Sequence, residues 1–257
     1  MRNLVLVFAC VITFAGFAIA AHAEDEWEAR TYKDANGKTL PYRLLKPIDY
    51  DPKQDKKYPL VLFFHGVGES GHDNQAQLKN GVRAFAKEDI RKKFPCFVAA
   101  PQCEKGLMWV NTPWSLDSHI QPETPSEPMR RAMEMRESLL KEMPIDPNRQ
   151  YMTGLSFGGF GVWDAITRYP DVFAAAIPVC GGADEHKASL VAKLPIWAFH
   201  GDKDGVVKTI RSRHIIEAIK KEGGNPKYTE YPGVGHDSWT RAFNEPELMP
   251  WLFQQHK

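Results

Sequence analysis

Ser156 lies in Gly154-Leu155-Ser156-Phe157-Gly158, after the apolar run Tyr151-Met152-Thr153 and before a helical pattern that begins at Gly159. A serine on a sharp strand-to-helix turn needs glycine two positions away on each side, because a side chain there would strike the backbone. The hydroxyl then projects from the carboxyl edge of a sheet, over a helix N-terminus. Such a hydroxyl can attack a carbonyl carbon if a base lies within hydrogen-bond reach. His236, in Gly235-His236-Asp237-Ser238-Trp239 after a strand pattern, is the expected base. Other histidines follow the turn. These are His186, His200, His214 and His256: His214 falls mid-helix, His256 sits at the tail, and His200 ends a strand, where it should buttress the next turn. The base needs an acid to hold its tautomer and stabilise its charged form. His200-Gly201-Asp202-Lys203-Asp204-Gly205-Val206-Val207 offers two carboxylates. Asp204, just before the next helix, is expected to be catalytic and Asp202 to cap the turn, ahead of Asp184 and Asp237 as more distant choices.

The oxyanion formed by that attack needs two fixed N–H donors. One is the amide of Phe157, which follows the serine. The other is expected from Val67, in the His65-Gly66-Val67-Gly68 turn after the apolar run Pro59–Phe64. Glu69 either braces this turn or lies on the surface. Between Glu104 and Ser126 runs the longest irregular stretch, carrying Trp109, Trp114, Pro113, Pro122 and Pro125. Loops of that length in a small domain are usually functional or disordered. It leaves a strand's carboxyl edge, so Trp109 and Trp114 are expected to line the substrate pocket, with plugging of the loop onto the core as the other use.

The elements that must position these residues follow from periodicity. Alternating runs at 26–32 and 40–46, joined at Asn36-Gly37, predict an antiparallel hairpin at one edge. From Tyr58 onward, continuous apolar strands at 59–64, 97–101, 149–154, 174–179, 195–200 and 227–231 alternate with amphipathic stretches. Helices are predicted at 75–93, 127–142, 158–169, 207–222 and 246–255. That alternation is the signature of a mostly parallel, twisted sheet covered on both faces.

Residues 1–23 read as a secretory leader: Arg2, an apolar run from Leu4 to Ala20, then Ala21-His22-Ala23 as a cleavage site. Residues 24–257 suit one catalytic domain in the periplasm or outside the cell. Loss of Arg2 with the leader leaves 32 basic against 32 acidic residues, a balance that argues against an electrostatic partner such as nucleic acid or an anionic membrane. No stable membrane association is expected after cleavage. Three cysteines remain: Cys96, Cys103 and Cys180. Cys96 and Cys103 bracket an extended strand and cannot pair. Cys103 and Cys180 both follow strand ends, so their pairing depends on loop geometry. No Cys/His spacing suggests a metal, and no cofactor is expected.

Taken together, His65-Gly66-Val67-Gly68-Glu69-Ser70-Gly71, Ala100-Pro101-Gln102-Cys103, the Ser156 turn with Gly159, Cys180-Gly181-Gly182-Ala183-Asp184, His200–Asp204 and His236-Asp237-Ser238-Trp239 give a chain that resembles secreted bacterial carboxylesterases of the α/β-hydrolase superfamily. The chain order Ser, Asp, His is that of this superfamily. The similarity covers nearly the whole of residues 24–257. It is strongest to lidless feruloyl and acetylxylan esterases, polyhydroxybutyrate depolymerase-like esterases and the prolyl oligopeptidase catalytic domain. The resemblance implies an α/β-hydrolase fold without a large lid domain. It also implies a serine carboxylesterase acting through an acyl-enzyme on small or polysaccharide-linked esters, feruloyl or acetyl. A prolyl oligopeptidase-type peptidase is the first alternative, made the less expected one by the stretch of only about 35 residues between the leader and the first core strand, against the large N-terminal propeller of that family. A catalytically inactive hydrolase fold that only binds is the second.

Overall fold

The computed structural model describes residues 26–257, so the leader expected at 1–23 lies outside the described residues. In chain order the elements are β1 (Trp27–Lys33), β2 (Thr39–Leu45), β3 (Tyr58–Phe64), α1 (Glu88–Lys93), β4 (Phe97–Pro101), α2 (Glu127–Glu142), β5 (Ile145–Leu155) and α3 (Phe157–Arg168). They continue with β6 (Ala175–Val179), α4 (Ala188–Val191), β7 (Trp197–Gly201), α5 (Ile210–Lys221), β8 (Lys227–Tyr231), α6 (Trp239–Ala242) and α7 (Leu248–Phe253). All eight strands form one sheet in the order β1-β2-β4-β3-β5-β6-β7-β8. The β1/β2 and β2/β4 pairs are antiparallel, and every later pair is parallel. This is the mostly parallel sheet covered on both faces that the strand pattern predicts, and it has the α/β-hydrolase fold that the resemblance implies.

Strands β3, β4 and β6 are buried at every position because both faces of the sheet are covered. Leu60, Leu62 and Phe64 point toward α2, α3 and α5, whereas Val61 and Phe63 point toward α7 and the segment before β4. The chain leaves β3 for β4 on one side and returns to β5 on the other. The carboxyl ends of β3 and β5 therefore flank a topological switch point, where open α/β sheets place their ligands.

Two of the predicted helices differ. The stretch 75–93 is not continuous: it breaks into 3-10 turns at Ala76–Leu78 and Val82–Ala86 followed by α1. Gly81 causes the break, with φ of +72° and a Cβ position only 2.6 Å from the Phe243 ring. Helix α5 starts at Ile210 rather than 207, because Asp204 Oδ1 accepts from the N–H groups of both Val206 and Val207 and holds them in a turn. The cysteines at 96, 103 and 180 are all buried and free, with Cys103 and Cys180 packed on opposite faces of the sheet.

Candidate active site

The turn after β5 places Ser156 as the N-cap of α3 with φ of +52° and ψ of −118°. A non-glycine residue seldom adopts that conformation, and its occurrence here is a strain that the surrounding structure enforces. The flanking glycines make it possible. A Cβ on Gly154 would lie 2.7 Å from the Phe64 carbonyl oxygen, and one on Gly158 would lie 2.0 Å from it. Neither position can carry a side chain while β3 and β5 remain paired.

Ser156 Oγ donates to His236 Nε2 at 2.8 Å, and His236 Nδ1 donates to Asp204 Oδ2 at 2.7 Å. The order of donors is fixed by Asp204, whose ionised carboxylate can only accept, so the Nδ1 hydrogen leaves Nε2 free to accept from serine. Burial alone would raise the Asp204 pKa. Hydrogen bonds from His200, His236 and the Val206 and Val207 amides outweigh it and hold the carboxyl well below the usual carboxylate range. The Asp204 side chain has no exposed surface, whereas the His236 imidazole is 21% exposed. Trp239 stands edge-on to that ring at 5.2 Å, which limits its swing. Asp202, the other carboxylate of the turn, instead accepts from the Gly233 N–H at 2.7 Å and ties the turn after β7 to the one after β8.

His200 does more than end a strand. Its Nε2 lies 3.2 Å from Asp204 Oδ2 and 3.0 Å from the Val207 carbonyl oxygen, both acceptors, so this nitrogen carries a hydrogen. Nδ1 lies 2.7 Å from Ser212 Oγ. Two imidazoles thus share one carboxylate oxygen. From sequence, His200 is no more than a buttress, because the approach depends on how tightly the turn after β7 closes.

Val67 and Phe157 each open a helical segment, the first a 3-10 turn over Val67–Glu69 and the second α3. The first N–H groups of a helix have no intrahelical acceptor, so both are available to a bound anion. The Val67 turn is braced from beneath. Trp109 Nε1 donates to the His65 carbonyl oxygen at 3.2 Å, His65 Nδ1 donates to the Gly66 carbonyl oxygen at 2.6 Å, and His65 Nε2 accepts from the Cys103 N–H at 2.9 Å. Burial pushes the His65 pKa down to about 4, which keeps the ring neutral in that role. The Glu69 carboxylate is buried, accepts from Asn80 Nδ2 at 2.5 Å and has its pKa raised by burial. Gln102 completes the brace, donating to the Glu69 carbonyl oxygen at 3.1 Å and accepting from the Asn74 N–H at 2.7 Å. Sequence reasoning missed His65 and Gln102 as supports. Their partners become visible only once β3 and β4 are known to be neighbours.

The two tryptophans part company. Trp109 has no exposed surface and stacks on Phe64 at a centroid distance of 4.0 Å. It therefore packs the loop onto the core beneath the Val67 turn, and the expectation that it lines the pocket is corrected. Ser126 Oγ, which caps α2, donates to the Trp109 carbonyl oxygen at 2.7 Å and fixes the other end of the loop. Trp114 is 38% exposed and stands edge-on to Phe157 at 6.5 Å. It forms one wall of an open cavity of 570 Å³ with Met108, Asn111, Thr112, Pro113 and Ser115. The buried Arg211 holds this segment from the far side, donating to the Leu116 carbonyl oxygen at 2.8 Å and to His119 Nδ1.

The model of a family described as phospholipase/carboxylesterase matches residues 50–246. A probable carboxylesterase from Oryza sativa subsp. japonica is 26% identical over 197 residues, which are 70% of this chain and 81% of that protein. A poly(3-hydroxyalkanoate) depolymerase C from Paucimonas lemoignei is 38% identical over 154 residues, 59% of this chain but 33% of the depolymerase. The solved structure of a thermostable esterase superposes with a TM-score of 0.84 at 39% identity and covers 91% of this chain. This chain spans 64% of that esterase's length.

Proposed function

The chain belongs to the phospholipase/carboxylesterase family, whose chemistry is the hydrolysis of carboxylic esters, and from that premise we propose that Ser156, His236 and Asp204 form its catalytic triad. The observation that carries the proposal is the unbroken relay from Ser156 Oγ through His236 to Asp204, with both hydrogen bonds at 2.8 Å or less. As Ser156 Oγ bonds to the ester carbonyl carbon, its proton passes to His236 Nε2, and the imidazolium is held by Asp204. The oxyanion rests on the N–H groups of Val67 and Phe157, each such donor typically being worth about 3–4 kcal/mol in the transition state. Collapse breaks the bond to the alcohol oxygen, which takes the proton from His236. Water then attacks the acyl-enzyme with His236 as base, and the carboxylic acid leaves.

For the substrate we propose small or polysaccharide-linked esters with feruloyl or acetyl groups, met outside the cytoplasm by the exported chain. The exposed indole of Trp114, edge-on to Phe157, the residue that follows Ser156, supports this reading, since a flat aromatic surface suits an aryl acyl group. Esters should be cleaved far faster than matched amides, because an amide nitrogen must be protonated as it leaves and so demands tighter positioning. A panel of aryl and alkyl esters beside a peptide amide reads both points. Comparable kcat/KM for amide and ester would replace the esterase with a peptidase.

The triad itself is tested by Ser156→Ala, expected to keep the fold by circular dichroism and to lose about 10⁴–10⁶ in kcat. A fluorophosphonate should label Ser156 in the unaltered protein. Labelling at a different serine, or activity surviving in the alanine variant, would remove the assignment.

A further inference from the structure

On its buried side the relay meets a thiol that ester hydrolysis does not use. Cys180 follows β6 with φ of +41° and has no exposed surface. Its Sγ, a carboxylate oxygen of Asp204 and a ring nitrogen of His236 all lie within 4.8 Å of one another. The Ser238 side chain, fully buried, sits next to the thiol. One sulfur, one oxygen and one imidazole nitrogen make a mixed donor set, of the kind that borderline and soft divalent cations prefer over magnesium or calcium.

We propose that Cys180, Asp204 and His236 form an inhibitory site for a borderline or soft divalent cation such as Zn²⁺ or Cd²⁺. Ligands about 2.0–2.3 Å from zinc stand roughly 3.3–3.8 Å apart in a tetrahedron. His236 Nδ1 and Asp204 Oδ2, now 2.7 Å apart, therefore open by roughly 0.6 Å on binding, while any ligand pair as far apart as 4.8 Å closes by at most about 1.5 Å. The fourth position is left to water. His236 Nδ1 is the nitrogen that faces Asp204, and a cation inserted between them takes the place of the hydrogen now shared there. The thiol proton passes to solvent, so each cation bound releases one proton. The displaced Nδ1 proton moves to Nε2, and the ring stays neutral. Nε2 then carries a hydrogen 2.8 Å from Ser156 Oγ, where the attack requires a lone pair. The cation silences the base by fixing the wrong tautomer, without touching the serine or the substrate groove.

The effect on turnover rests on the triad reading, whereas binding does not, and the test separates the two. Cd²⁺ is titrated into the full chain while hydrolysis of an aryl acetate and the ultraviolet thiolate-to-cadmium charge-transfer band are both followed. The expected result is loss of activity in step with a band of one thiolate per chain, both reversed by a chelator. Cys180→Ala and Cys180→Ser, each compared with its own uninhibited rate, should need more than about tenfold more Cd²⁺ and lack the band. Ser156→Ala should bind Cd²⁺ as the unaltered chain does, which reads the site even if the protein hydrolyses no ester in the panel. Equal sensitivity of the unaltered chain and both Cys180 variants would assign inhibition to other groups, such as the exposed His72, and overturn the proposal. So would a band that persists without Cys180, since it would belong to another of the chain's cysteines, Cys10, Cys96 or Cys103.

Discussion

Among single residues, the two carboxylates of the β7–α5 turn give the sharpest test of role. Asp204 is the one with its charge held by four donors and with His236 at 2.7 Å, while Asp202 serves only the Gly233 amide. Asp204→Asn should therefore cost on the order of 10⁴ in kcat, because an amide presents a donor where the Nδ1 hydrogen needs an acceptor and the tautomer inverts. Asp202→Asn should leave kcat within a few-fold and show itself in thermal stability. Steady-state kinetics on both variants decide the matter, and the opposite ranking would move the catalytic acid to Asp202. That Ser156, Asp204 and His236 would meet was legible in the chain. Each follows an apolar strand pattern, and a parallel sheet brings the ends of its strands to one edge. The second imidazole on Asp204 was not legible, because a 3.2 Å approach between positions 200 and 204 depends on turn geometry that no spacing encodes.

One level up, among the elements, the segment from Glu104 to Ser126 carries a buried tryptophan, Trp109, and an exposed one, Trp114, which lines an open cavity. Trp109 is wedged between Phe64 and α3, and a Cβ on Gly161 would lie 2.9 Å from its own Cβ. Trp109→Ala should cost about 3–5 kcal/mol of stability, as the loss of a fully buried aromatic usually does, and lower activity toward all esters alike by loosening the Val67 turn. Trp114→Ala removes an exposed ring from the wall of the open cavity, which the substrate reading takes as the acyl site. It should leave stability nearly unchanged, keep acetyl ester turnover largely intact and reduce the preference for bulky aryl esters. Denaturant unfolding together with a two-ester kinetic comparison separates the two outcomes. If Trp114→Ala scaled both esters equally, the cavity would not be the acyl site. Strands are readable from sequence because full burial leaves unbroken apolar runs. The 75–93 stretch reads as one helix because its amphipathic pattern hides the left-handed turn at Gly81, which the distant Phe243 ring enforces.

Across the whole molecule, buried neutral histidines tie stability to pH. His65 has a folded pKa of about 4, against about 6.5 for an unburied histidine. The unfolded chain therefore binds more protons between these values, and stability falls as pH drops through that window. From pH 7 to 4.5 this single group should account for about 2–3 kcal/mol. His119, pushed down to about 4 by burial and by the Arg211 charge, acts with the same sign. Urea unfolding at the two pH values should show a smaller difference for His65→Gln than for the unaltered chain, and an identical difference would exclude His65 as the source. The order of residues was enough to specify the sheet, its covering layers, the three side chains of the relay and the two turns that present free amides. Each of these rests on a local requirement: apolar runs for buried strands, glycine where a backbone passes within 2.7 Å, and a helix start for a free N–H. Folding alone settled which tryptophan is buried and which is exposed, what braces the Val67 turn, and that Cys180 stands beside Asp204 and His236. Those are contacts between segments far apart in the chain, set by strand order and by packing across the sheet, and neither the identity nor the spacing of the residues carries that information.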